Sequence, residues 1–164
     1  MRQLKYFAGT VLVLAVLGVG AGFAWSALAP RTRYVLVDQE WLVADPNTQT
    51  LIAADGWFAL VAGALGLVCG LAGYWFAGER AVAVVSGLAA GGVVGALVAY
   101  LVGSSMGGEL VQAAAAGQFD SQDRLGLTAF GVLMFWPVLA AGTFWALEFA
   151  VTYRERREEP PPVE

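Results

Sequence analysis

Four long stretches of this chain are almost free of formal charge, and no other feature limits its folding options as much. Phe7–Ala29, Trp57–Ala77, Ala81–Val102 and Leu127–Val151 are 23, 21, 22 and 25 residues long, and Glu148 is the single Asp, Glu, Lys or Arg among them. A bilayer hydrocarbon core of about 30 Å takes about 20 helical residues. Inside it the backbone has to satisfy its own hydrogen bonds, so apolar runs of this length predict helices. The expected fold is an all-α membrane protein: one four-transmembrane-helix bundle over residues 1–151, followed by a disordered cytoplasmic tail over 152–164. The averages agree. The chain is 59% hydrophobic and 13% charged, against roughly 45–50% and about 25% for a soluble domain.

The composition also removes several chemistries. Without His, the usual general base near neutral pH and the commonest metal ligand are missing. With one Cys, Cys69, there is no intrachain disulfide and no paired-cysteine site. Cys69 lies in the apolar stretch Leu67–Gly70 and reads as a small packed residue rather than a reactive thiol. Net charge is −4, so the basic footprint of a nucleic-acid binder is absent. Nothing resembles a nucleophile–base pair, a phosphate loop or a metal cluster, so no catalytic residue, cofactor or metal is expected.

The first apolar run has the basic start of a signal peptide, Arg2 and Lys5, and ends in Ala27-Leu28-Ala29. It exceeds the 7–15 residues of a signal core, and Pro30 would follow the cut, so a retained anchor is predicted. The Lys/Arg bias sets orientation. With both termini inside, the inner segments hold six basic residues in 22, and the outer loops Pro30–Gly56 and Gly103–Gly126 hold three in 51. Tyr6, Trp75 and Tyr153 then fall at the inner interface, and Trp25, Trp57 and Tyr100 at the outer one.

Small residues recur at helical spacing. The stripes are Gly18 and Gly22 in span 1, Gly63, Gly66, Gly70 and Gly73 in span 2, and Gly87, Gly91 and Gly95 in span 3. Intervals of three and four place each set on one face, and small residues let membrane helices approach closely. Tight mutual packing of spans 1, 2 and 3 is expected, with the stripes serving intramolecular contacts or a homo-oligomer interface. Span 4 is bulkier and contains Trp136-Pro137, which either shapes packing or breaks the helix beside a site. Glu148 near the inner interface is a functional candidate by rule. Alternatively it reaches headgroup water or pairs with Lys5, Arg80 or the tail arginines.

The first outer loop carries β-rich runs at Tyr34–Val37 and Trp41–Ala44, a turn signal at Asp45-Pro46-Asn47 and a third candidate strand at Thr48–Ala53. A small extracytoplasmic β-hairpin or meander between spans 1 and 2 is predicted. Asp55 either caps the start of span 2 or binds a ligand. A calcium loop starting at Asp45 is excluded by Thr50 and Gly56 where Gly and Glu are required. The second loop has a helical pattern at Glu109–Ala116 and polar turn residues at Phe119–Arg124. Together the outer loops hold seven acidic and three basic residues.

Four motifs carry a resemblance: Leu28-Ala29-Pro30, Ala53-Ala54-Asp55-Gly56-Trp57-Phe58-Ala59-Leu60, the Gly87–Gly95 stripe and Phe135-Trp136-Pro137. Over about Val11 to Val151 the chain resembles a group of small four-helix integral membrane proteins of actinobacteria, a domain of unknown function. The resemblance implies four spans and a multi-pass plasma-membrane location. It brings no assigned activity and no catalytic residues. The function expected is that of a non-enzymatic accessory or scaffold protein, with the lipid bilayer and an envelope or membrane protein as partners. A small transporter or channel built by oligomerisation is the alternative, with Glu148 or Trp136-Pro137 lining it. A membrane enzyme acting on lipid-linked substrates through Asp55, Glu40 or Asp38 is the third reading.

Overall fold

The computed structural model describes residues 2–37, 40–43, 49–112 and 121–158. It is a four-helix bundle. In chain order the elements are α1 (Arg2–Leu28), β1 (Thr32–Val37), β2 (Glu40–Val43), α2 (Thr50–Ala77), α3 (Ala81–Gln112), β3 (Ser121–Arg124) and α4 (Phe135–Glu158). A 3-10 turn, Gly78–Arg80, links α2 to α3, and a 3-10 stretch, Phe130–Met134, leads into α4. Four helical segments are long and apolar enough to cross a membrane: Gln3–Leu28, Thr50–Ala77, Ala81–Met106 and Phe130–Arg157.

The α2–α3 connection is tight because Gly78 adopts φ +50°, a conformation that disfavours any residue with a Cβ. The bundle is built from two close pairs, α1 with α3 and α2 with α4, while α1 and α2 barely touch. Glycine explains the first pair. A Cβ on Gly18 would run into the carbonyl of Gly95, one on Gly95 would stand 2.7 Å from the Leu14 carbonyl oxygen, and one on Gly91 3.0 Å from the Val11 Cα. Gly87 lies against Thr10 and Gly22 against the Ala99 carbonyl. The two backbones therefore meet directly, as small-residue stripes permit in lipid.

The α2 stripe differs from the expectation of a three-span cluster. Gly63, Gly66 and Gly70 face Leu139, Trp136, Ala140 and Thr143 of α4, and only Gly73 faces Val84 and Leu88 of α3. The bulky span 4 thus offers a small-residue face of its own. Two further glycines seat large rings: Gly92 lies against Pro137, and Gly103 against Trp25.

Three short segments at the end opposite the Gly78 turn are extended. β1 pairs antiparallel with β2, from Tyr34↔Val43 to Val37↔Glu40. On its other side β1 pairs antiparallel with β3, from Thr32↔Arg124 to Val35↔Ser121. The sheet order is β2-β1-β3. The expected third strand at Thr48–Ala53 does not form, because α2 already starts at Thr50. The strand that takes that place comes from the second loop, in a segment with a polar-turn composition. Gly107 and Gly108 do not interrupt α3, which runs on to Gln112. The remainder of the predicted 109–116 helix and the Asp45-Pro46-Asn47 turn lie outside the described residues. At the other terminus α4 stays helical to Glu158, further than the apolar run that ends at Val151, because Arg154–Glu158 has no helix breaker.

Candidate functional site

The side chains that the structure draws together lie beneath the sheet. Trp25 from α1 is fully buried, and its indole N–H donates to the Ala54 carbonyl of α2 at 2.9 Å. Its ring meets Phe58 of α2 edge-on at 5.2 Å between centroids, and Tyr100 of α3 lies 6.4 Å away. Tyr100 in turn meets Phe130 ahead of α4 at 6.0 Å. One aromatic cluster thus joins all four helical segments. Such contacts add to the large burial of aromatic rings. Trp25 is a core residue and not the interfacial anchor its position near the run's end suggested.

Asp55 sits beside this cluster in the second turn of α2. It does not cap its own helix. The residue before that helix is Gln49, which makes no side-chain cap. The Asp55 carboxylate instead accepts two backbone N–H groups from the segment entering the fourth span: Thr128 N–H to Oδ1 at 2.9 Å and Ala129 N–H to Oδ2 at 3.0 Å. Both donors come just ahead of the 3-10 stretch that starts at Phe130, Ala129 being its N-cap, and a carboxylate is a strong acceptor for such backbone N–H groups. Asp55 therefore fixes where the fourth span begins relative to the second. Nearby, the buried Thr32 at the start of β1 shares a 2.9 Å hydrogen bond with Thr50 at the start of α2. With both oxygens committed to peptide donors, Asp55 is placed as a positioning group.

Trp136 and Pro137 lie inside the bundle. Trp136 is 0% exposed, and among the described residues its indole N–H is the one buried side-chain donor or acceptor without a hydrogen-bond partner. The thiol of Cys69, itself buried, faces the indole N–H but does not reach hydrogen-bond geometry. Pro137 stands in the first turn of α4, where its missing N–H costs little. The preceding turn is wound as 3-10 helix. Sequence alone places Pro137 mid-span; here it marks a change of winding at the start of the α-helix and packs on Gly92.

Glu148 is exposed on α4 and makes no ion pair among the described residues. Arg154 is six residues on, away from the i+3 and i+4 positions that face Glu148. Arg80 is held elsewhere, with its guanidinium 4.2 Å from the centre of the Tyr6 ring. Among the described residues no three His, Cys, Asp or Glu side chains come together as a metal site would require. Asp38, one of the acids of the enzyme reading, lies outside the described residues.

Sequence reasoning missed Thr32, Thr50, Gly92 and Gly103. Thr32 and Thr50 belong to loop composition without periodicity, and each of the two glycines has its partner on a different helix. No family model, curated protein or solved structure matches this chain.

Proposed function

We propose that the protein is a non-enzymatic accessory or scaffold protein of the plasma membrane. Both termini are cytoplasmic, and the bundle presents an acidic extracytoplasmic β cap to an envelope or membrane protein partner. The observation that carries this reading is the pairing of β3 with β1. It joins the two outer loops into one sheet, and the hydrogen bond between Thr32 at the start of β1 and Thr50 at the start of α2 ties that sheet to the helices. A platform held this way costs less to order on binding than two loose loops. The Lys/Arg bias supports the orientation, and four helical segments long and apolar enough to cross a membrane support the membrane location. The seven acidic and three basic residues of the two loops suit a partner with a basic face.

The test is photo-crosslinking in native membranes with a benzophenone amino acid at position 42 on β2. A discrete crosslinked protein is expected from the wild type. It should be lost in the Glu40→Lys, Asp123→Lys double variant with the fold intact. A crosslinking pattern indifferent to charge reversal overturns the proposal.

A further inference from the structure

The weak contact between α1 and α2 leaves a lateral groove of about 460 Å³ on the half of the bundle near the Gly78 turn. Its walls include Leu14 of α1 and Cys69 and Gly73 of α2, and its floor includes Val84 and Leu88 of α3. The groove is apolar along its length, since beyond Tyr6 at the mouth the one hydroxyl among its lining residues, that of Thr10, is spent on the Tyr6 carbonyl at 2.9 Å. Polarity is confined to the mouth. There Lys5 and Tyr6 line the opening, and the Arg80 guanidinium rests 4.2 Å from the Tyr6 ring centre. The lining on α1 runs from Lys5 to Leu17, about 18 Å at 1.5 Å per residue. One leaflet of a hydrocarbon core of about 30 Å is about 15 Å deep. Trp75, 75% exposed, stands at the same end as the mouth, the depth at which indole rings mark the headgroup layer.

We propose that this groove holds one anionic phospholipid, an acyl chain lying between α1 and α2 and the phosphate beside Lys5 and Arg80. The assignment follows from the match of an apolar trough one leaflet long with two cations at its open end. An acyl chain would fill the space that glycine-mediated backbone contact closes in the α1–α3 pair. The phosphate meets a guanidinium that lies over the Tyr6 ring but whose N–H groups are not used by any carboxylate among the described residues. Basic side chains at a membrane surface attract anionic lipid headgroups. The proposal rests on the four helices spanning a bilayer and is independent of any protein partner at the sheet end.

The test is native mass spectrometry of the full-length protein in detergent, with dioleoyl phosphatidylglycerol and dioleoyl phosphatidylcholine supplied at equal concentration. The wild type should retain one phosphatidylglycerol in preference to phosphatidylcholine. The Lys5→Ala, Arg80→Ala double variant should lower that preference about thirtyfold, the effect of two basic side chains near a headgroup layer. Gly9→Leu places a side chain into the groove where a Cβ meets nothing within 4 Å, and Val13→Trp does so from an exposed position. Both variants should retain neither lipid while melting as the wild type does. Equal retention of the two lipids by the wild type overturns the proposal. So does undiminished phosphatidylglycerol binding in both groove-filling variants. A change from dimer to monomer mass in those variants without a change in lipid retention would assign the groove to a second copy of the chain instead.

Discussion

Removing the Asp55 carboxylate should detach the start of the fourth span from the second. Asp55→Ala leaves the N–H groups of Thr128 and Ala129 without the acceptors they meet at 2.9 and 3.0 Å. A hydrogen bond to a charged group contributes about 1.5–3 kcal/mol. The site is half-exposed, so water partly replaces what is lost and the lower figure applies to each bond, about 3 kcal/mol in all. Asp55→Asn keeps one carbonyl oxygen and loses the other to an amino group, so about half that loss is expected. For a chain of this size each kcal/mol moves the melting temperature by about 2–4 °C. Unfolding followed by tryptophan fluorescence in a mild detergent should therefore show a drop of about 6–12 °C for Asp55→Ala and about 3–6 °C for Asp55→Asn. Amide exchange supplies the local readout: the Thr128 and Ala129 N–H groups should exchange faster in Asp55→Ala while those of α3 do not. A melt within about 1 °C of the wild type, or unchanged exchange at the two amides, would refute the role given to Asp55.

Other substitutions separate contact from mere spacing. Gly95→Val drives a side chain into the Leu14 backbone, whereas Gly20→Val on α1 meets open space. The first should cost about 1–3 kcal/mol or more by overpacking and the second far less, measured by the same melts. Trp25→Phe gives up the hydrogen bond to Ala54, while Trp136→Phe gives up an N–H without a hydrogen-bond partner. Trp25→Phe should therefore destabilise more, by about 1 kcal/mol, and equal losses would contradict the assignment.

The four helices were legible because lipid leaves a spanning backbone no other choice, and charge marks where each apolar run stops. The ends were less legible. Thr48–Ala53 reads as a candidate third strand and Asp55 as the cap of span 2, yet Thr50–Gly56 is the first turns of α2, held there by Thr32, Trp25 and the bonds at Asp55. The glycine faces could be read from intervals of three and four, since these repeat once per helical turn. Their partners could not. Spacing says which side of α2 is small but not that Ala140 and Thr143 of the bulky fourth span receive it. Asp55 stood out beside Gly56 and Trp57 in the sequence, but its two acceptors serve residues 73 and 74 positions away, and no local pattern encodes so distant a pair. Pro137 was conspicuous for the opposite reason: the residue type is locally informative, but its effect depends on where the α-winding begins.

In the proposed topology four spans place the sheet on the outer side and the Gly78 turn and both termini on the inner side. The direct measurement is labelling of single cysteines in a Cys69→Ala background with a membrane-impermeant maleimide on intact cells. Arg31→Cys should label without permeabilisation, whereas Glu79→Cys and Arg154→Cys should label only after the membrane is opened. Labelling of Arg31→Cys and Glu79→Cys from the same side would contradict this topology.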